Sequence, residues 1–147
     1  MKMNPLIETL WKGFVQLHIA LYHLTRGRFM SKRTILITTI GRKSGKPRTR
    51  ALYGIQDNGN YVFIASYGGS PQHPDWYRNL QANPRVIVED HGRTITTRAS
   101  TVIDEEEYKR LWSRMTAMYS GYDDYQKKTE RKIPVVLLKP EQSVSRR

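Results

Sequence analysis

The chain contains no cysteine, which removes disulfides, thiolate nucleophiles and cysteine-held zinc or iron-sulfur centres together. Histidine is scarce, and the four present lack metal-ligand spacing: His18 and His23 lie off a common helical face, and His73 and His91 stand alone. No metal is expected. There is no G-x-S-x-G elbow for a serine nucleophile, and the clustered carboxylates Asp123-Asp124 and Glu105 to Glu107 read as solvated faces rather than acid-base pairs. Acid is the minority charge, with 13 Asp and Glu against 25 Lys and Arg, a formal net charge of +12. Such a field attracts polyanions over roughly a Debye length, ~8 Å in physiological salt. Long hydrophobic runs are missing as well. No stretch approaches the ~20 apolar residues of a membrane span, and no small-residue cleavage site follows an unbroken apolar core.

What is present suits one folded domain: 147 residues, 38% of them hydrophobic. The N-terminal segment carries Leu6, Leu10, Trp11, Phe14, Leu17, Leu21 and Leu24 at helical spacing, predicting an amphipathic helix over residues 1–30. It could lie on the domain or on a second subunit. Alternatively, Arg26, Arg28, Lys32 and Arg33 could assist it as an interfacial membrane helix, giving peripheral membrane contact through residues 4–33.

The β-branched run "TILITTI" predicts a strand buried on both faces, and "RTRALYGI" and "YVFIAS" predict two more, joined at Asn58-Gly59, the favoured hairpin pair. Pro74 opens a short helix that Asn83-Pro84 ends. "RVIVED" and "RTITTRASTV" flank His91-Gly92 as a second hairpin. Asp104 and Glu107 start a helix whose apolar face is Tyr108, Leu111, Trp112, Met115 and Met118; "IPVVLL" is a last strand before a frayed tail over 141–147. About six mainly antiparallel strands in so short a chain close most economically as a small barrel with flanking helices, over 31–140.

The densest charge is "GRKSGKPRTR", with Arg42, Lys43, Lys46, Arg48 and Arg50. It is not a Walker A loop. Gly41 and Gly45 are one residue too close, Pro47 takes the Ser/Thr position, and strand-like sequence follows where the helix should begin. Glycine turns and Arg forks can still grip phosphate, although a charged, solvated hairpin tip is the plainer reading. Nucleic acid is not expected as a partner, because the cations fall in blocks apart from most of the aromatics. In "YSGYDDYQ", Tyr119, Tyr122 and Tyr125 recur every three residues; they read either as core packing or as the wall of a pocket for a flat, oxygenated molecule.

Taken in order, "GRKSGKPR", "ASYGG", "HPDWYRNLQANP", "YSGYDDYQ" and "IPVVLL" resemble the deazaflavin (F420)-dependent nitroreductase family, over nearly everything from Thr34 to Pro140. The resemblance implies a split β-barrel of the FMN/F420-binding type and hydride transfer from reduced F420 to a quinone-like or nitroaromatic acceptor. It implies that Arg42, Lys43, Lys46 and Arg48 grip the cofactor's phosphodiester and glutamate tail, with Ser44 and Thr49 adding hydrogen bonds. It also places Ala65, Ser66, Tyr67, Gly68 and Gly69 beside the ring, with Trp76, Tyr77 and Asn79 bracing or touching the cofactor. Tyr122 would face the transferred hydride as the catalytic group, and Tyr53, Ser66, Tyr119 and Tyr125 would line the acceptor site. Two departures stand out: Tyr67 replaces a lysine common in the family, and Arg50 adds charge where smaller residues are usual. The alternatives are an FMN-using reductase of the same barrel and a noncatalytic deazaflavin carrier. The implied setting is cytoplasmic, at the inner face of the cell membrane if the N-terminal helix meets lipid, with a homodimer as a further implied partner.

Overall fold

A single glycine decides how the sheet closes. In the computed structural model, which describes residues 33–141 together with Gly13, Gln16, Leu17 and Ile19, the predicted strand Arg48–Ile55 breaks at Gly54. Pro47–Tyr53 (β2) pairs with Thr34–Ile40 (β1), whereas Ile55–Asp57 (β3) pairs with Asn60–Ile64 (β4). The remaining strands are Arg85–Asp90 (β5), Arg93–Thr101 (β6) and Val135–Pro140 (β7), and the sheet order is β2-β1-β5-β6-β7-β4-β3. Among the described residues there are therefore seven strands, one more than the sequence suggests. β2 and β3 lie at opposite ends of that order yet are joined through Gly54 alone, so the sheet curls until its two edges meet at this residue. A Cβ there would stand 2.5 Å from the Phe63 ring, so only glycine lets the bend sit against the buried core.

Every pairing is antiparallel, as the hairpins require. Asn58-Gly59 (φ 49° and 81°) and His91-Gly92 (φ 47° and 81°) both hold the two positive φ values of a type I′ turn. Period-two alternation then divides the core. On β4, Tyr61 and Phe63 point into the barrel with Ile35, Ile37, Val86, Val88 and Leu138. Val62 and Ile64 face the other way, beneath Leu111, Met115 and Tyr122. Each such aliphatic or aromatic side chain contributes roughly 1.5–3 kcal/mol of burial.

Helices close both clusters: the first packs Trp76, Tyr77 and Leu80 into the barrel cluster, and the later two cover the outer one with Leu111, Met115 and Tyr122. Asp75–Ala82 (α1) follows Pro74; Glu105–Met118 (α2) is capped by Asp104, which accepts from Glu107 N at 2.9 Å; Gly121–Lys127 (α3) follows at once. A one-turn 3-10 segment, Tyr67–Gly69, packs on α3, and a Cβ on Gly69 (φ +80°) would stand 2.5 Å from Tyr125 O. The predicted N-terminal helix lies outside the described residues except for Gly13, Gln16, Leu17 and Ile19, which are helical; residues 142–147 of the predicted tail lie outside as well. Among the described residues no helix is long and apolar enough to cross a membrane, and no His, Asp or Glu cluster could hold a metal ion.

Candidate functional site: a cationic cleft joined to a tyrosine cavity

The β1–β2 turn is tied by Gly41 N to Lys46 O (2.8 Å) and Gly45 N to Gly41 O (2.8 Å), with Gly45 at φ +68°. It leans on α1 through one amide. Asn79, buried in α1, accepts at Oδ1 from Arg42 N (3.1 Å) and Arg42 Nη1 (3.1 Å), and its Nδ2 donates to Thr39 Oγ1 at 3.2 Å. Arg42 Nη2 also reaches Asp75 Oδ1 at 3.2 Å. A cleft of about 210 Å³ results, lined by Gly41, Arg42, Lys43, Ser44, Arg48, Arg50, Asp75, Trp76 and Asn79. Lys43, Arg48 and Arg50 meet no carboxylate among the described residues, so the cleft presents unneutralised charge.

A larger cavity of about 620 Å³ opens beside it, and Arg50, Asp75 and Trp76 line both. Its wall is aromatic: Tyr53, Tyr67, Tyr119, Tyr122 and Tyr125, with Ala51, Leu52, Ile64, Ser66, Gly68 and Pro74. The Tyr119 and Tyr125 hydroxyls meet at 3.1 Å, and the Tyr119 ring stands edge-on to Tyr53 (5.6 Å between centroids) and Tyr122 (5.2 Å). Tyr122 is 5% exposed, yet its hydroxyl has no hydrogen-bond partner among the described residues and opens onto the cavity. Burial pushes this phenol well above its ordinary value of 10.0, and Tyr119, Tyr125 and Tyr53 add to the effect. It is a donor awaiting an acceptor. The Tyr119 phenol is raised too, first by its hydrogen bond to Tyr125.

The expected site residues fall into three groups. Arg42, Lys43, Ser44, Arg48, Trp76 and Asn79 line the cleft, while Tyr53, Ser66, Tyr67, Gly68, Tyr119, Tyr122 and Tyr125 line the cavity, which Trp76 also touches. Ala65, Gly69, Tyr77, Lys46 and Thr49 line neither. Ala65 and Tyr77 belong to the barrel core, where Tyr77 OH meets Thr101 Oγ1 at 2.8 Å. Thr49 Oγ1 pairs across the strands with Thr38 Oγ1 at 2.8 Å, Lys46 is exposed, and Gly69 is the close contact between the 3-10 turn and α3.

Sequence reasoning missed Asp75 and also Arg131. The Arg131 guanidinium donates to Ser70 O (2.8 Å) and Ser66 O (2.8 Å), reaches Ala65 O at 3.4–3.5 Å, and meets His73 Nδ1 at 3.0 Å. It thereby fastens the cavity-lining loop to the chain after α3. The His73 ring accepts at Nδ1 and is held neutral, its pKa lowered by burial and then by Arg131 and Arg78. Within "KKTERK", Arg131 looks like any member of a solvated charge run, so no sequence signal distinguishes it.

The curled antiparallel sheet with its flanking helices is a split β-barrel, and on it a cationic cleft runs into an aromatic cavity. Solved structures at 15–19% identity and TM-scores of 0.54–0.60 share that fold alone. The sequence profile of the F420H(2)-dependent quinone reductase family matches residues 15–140, and the chain belongs to that family. It is 36% identical over 131 residues to an F420H(2)-dependent quinone reductase of Mycobacterium tuberculosis, covering 84% of this chain and 88% of the relative. Among solved structures it is similar to an F420-H2 dependent reductase (39% identity, TM-score 0.67, 74% and 95% of the two chains). It is also similar to a protein described as a domain-swapped dimer (36% identity, TM-score 0.70, 90% and 99%).

Proposed function

We propose that the joined cleft and cavity form the cofactor and acceptor site of an F420-dependent oxidoreductase acting on quinones. The observation that carries this reading is the continuity of the two spaces at Arg50, Asp75 and Trp76: unneutralised cations lie at one end, and at the other the Tyr122 phenol, which has no hydrogen-bond partner among the described residues. A long anion with a flat head fits such a trough, whereas FMN would leave most of the cations unused. When bound, reduced F420 supplies a hydride from its deazaflavin ring.

The chain's own residues do the rest. Arg42, held by Asn79, and Lys43 and Arg48 hold anionic oxygens; Lys46 stands on the exposed side of the turn where a longer tail would extend. Ser66 and Gly68 form the rim over which the ring would lie, fixed from behind by Arg131. Tyr122 keeps its proton because burial disfavours the phenolate, and it donates a hydrogen bond to a quinone oxygen as that oxygen gains negative charge. Tyr53, Tyr119 and Tyr125 stack on a flat acceptor and exclude water; nitroaromatic compounds would enter the same space as incidental acceptors. A lipid-borne quinone would suit an N-terminal segment resting on the cytoplasmic face of a membrane. Pairing of two copies is supported by the domain-swapped relative.

Titration of the purified protein with F420 and with FMN separately, followed by a quinone added to the reduced complex, tests the reading. F420 binding and its oxidation by quinone are expected. Binding of FMN alone would overturn the assignment, and F420 binding without oxidation would make the protein a carrier.

A further inference from the structure

We infer that Asp75 is a built-in competitor for the anion cleft: its carboxylate occupies the Arg42 guanidinium and limits how tightly the anionic tail of the cofactor is held. Among the described residues four cations, Arg42, Lys43, Arg48 and Arg50, line the cleft and cavity, and Asp75 is the single acid that does so. It sits where the two spaces join. A negative charge there opposes the ligand that the rest of the cleft attracts.

The geometry separates holding Arg42 from neutralising it. Asn79 Oδ1 accepts from both the backbone N and Nη1 of Arg42, so the guanidinium keeps its place without Asp75. Asp75 takes only the remaining Nη2, at 3.2 Å, from a side chain that is 74% exposed while that of Arg42 is 24% exposed. An exposed pair of this kind holds weakly, so an incoming anionic oxygen can displace the carboxylate from Arg42. The displaced carboxylate stays on the first turn of α1 and repels the ligand at short range. A reductase must exchange oxidised cofactor for reduced cofactor at each turnover, and a cleft of unopposed cations would slow that exchange. Asp75 shortens the residence time.

This inference rests on the proposed cofactor reading, and its test keeps the two apart. Wild type, Asp75→Asn and Asp75→Ser are titrated with oxidised F420 and, in parallel, with inorganic pyrophosphate, at low and high ionic strength; F420 dissociation is followed by stopped flow. Both variants are expected to bind either probe roughly fivefold more tightly at low ionic strength, as expected for one unit charge near the ligand under water-like screening. The gain should shrink at high salt, and F420 dissociation should slow in proportion. Unchanged or weaker binding in the variants, with or without a lower Tm, would overturn the inference and leave Asp75 as a helix-start residue. If wild type fails to bind F420, the functional reading falls, and the pyrophosphate arm still decides the role of Asp75.

Discussion

Removing the Arg131 side chain should loosen the loop that lines the cavity more than it weakens the barrel. Arg131→Ala deletes two short charge-assisted hydrogen bonds, to Ser70 O and Ser66 O at 2.8 Å each, together with the longer contacts to Ala65 O. Hydrogen bonds to charged groups contribute ~1.5–3 kcal/mol each, but this guanidinium is only partly buried and water can replace it, so the net loss should be about 2–3 kcal/mol. For a chain of 147 residues that corresponds to a fall in Tm of roughly 6–12 °C. The larger effect should be on cofactor affinity, because Ser66 and Gly68 line the cavity and would no longer be pre-positioned. Arg131→Lys separates charge from geometry: it retains the cation but lacks the planar fork needed to reach several carbonyls. Thermal unfolding and F420 titration of both variants would measure this. If Arg131→Lys matched wild type in both, or if Arg131→Ala lost stability with no change in affinity, the clamp would have no part in shaping the site.

Tyr122→Phe should lower turnover with quinone by about 10–100-fold while leaving F420 affinity near wild type, because it removes a hydrogen bond that develops with charge on the acceptor; unchanged kcat would refute the donor role. Since the Tyr122 phenol is raised above 10.0, its ionisation should remove no activity up to about pH 9, and a pH profile that lost activity below that through a group absent in Tyr122→Phe would contradict the burial argument. Gly69→Ala should cost ~1–3 kcal/mol, since its Cβ would stand 2.5 Å from Tyr125 O at φ +80°; a wild-type Tm would show that the 3-10 turn and α3 can part freely. Asp57 is held at about 2, below its ordinary 3.8, by hydrogen bonds first to Arg110 and then to Arg114. The stability it adds is therefore complete above about pH 4 and is lost as pH falls towards 2. With both arginines half-exposed, screening reduces that contribution to about 1 kcal/mol, and Asp57→Asn should flatten acid unfolding by that amount between pH 4 and 2.

Local chemistry was legible in the order of residues because it acts over a few positions. Asn58-Gly59 and His91-Gly92 are type I′ turns because their residues tolerate positive φ, and Asp104 caps α2 because its side chain reaches the third amide on. The 3–4 spacing on α2 likewise identified its apolar face, on which Leu111 and Met115 are buried and Tyr108, Trp112 and Met118 are partly buried. The five ordered motifs all lie within residues 15–140, the stretch that matches the family. The seventh strand was not legible. "RTRALYGI" is uniformly strand-like, and only the approach of Phe63 from elsewhere in the chain shows that Gly54 is a corner.

By itself, then, the sequence determined the hairpins, the caps, the cationic turn, the absence of thiol chemistry and the family. Tertiary structure decided which of those residues meet. It joined the basic turn to the tyrosines through Arg50, Asp75 and Trp76, turned Thr49, Tyr77 and Ala65 away from both spaces, set the Tyr122 phenol in the cavity wall, and gave Arg131 a loop to hold. The reason is distance along the chain. A cap or turn is settled within about four residues, whereas Arg42 and Asn79, or Arg131 and Ser66, meet only after the sheet has curled and brought segments tens of residues apart into hydrogen-bonding range.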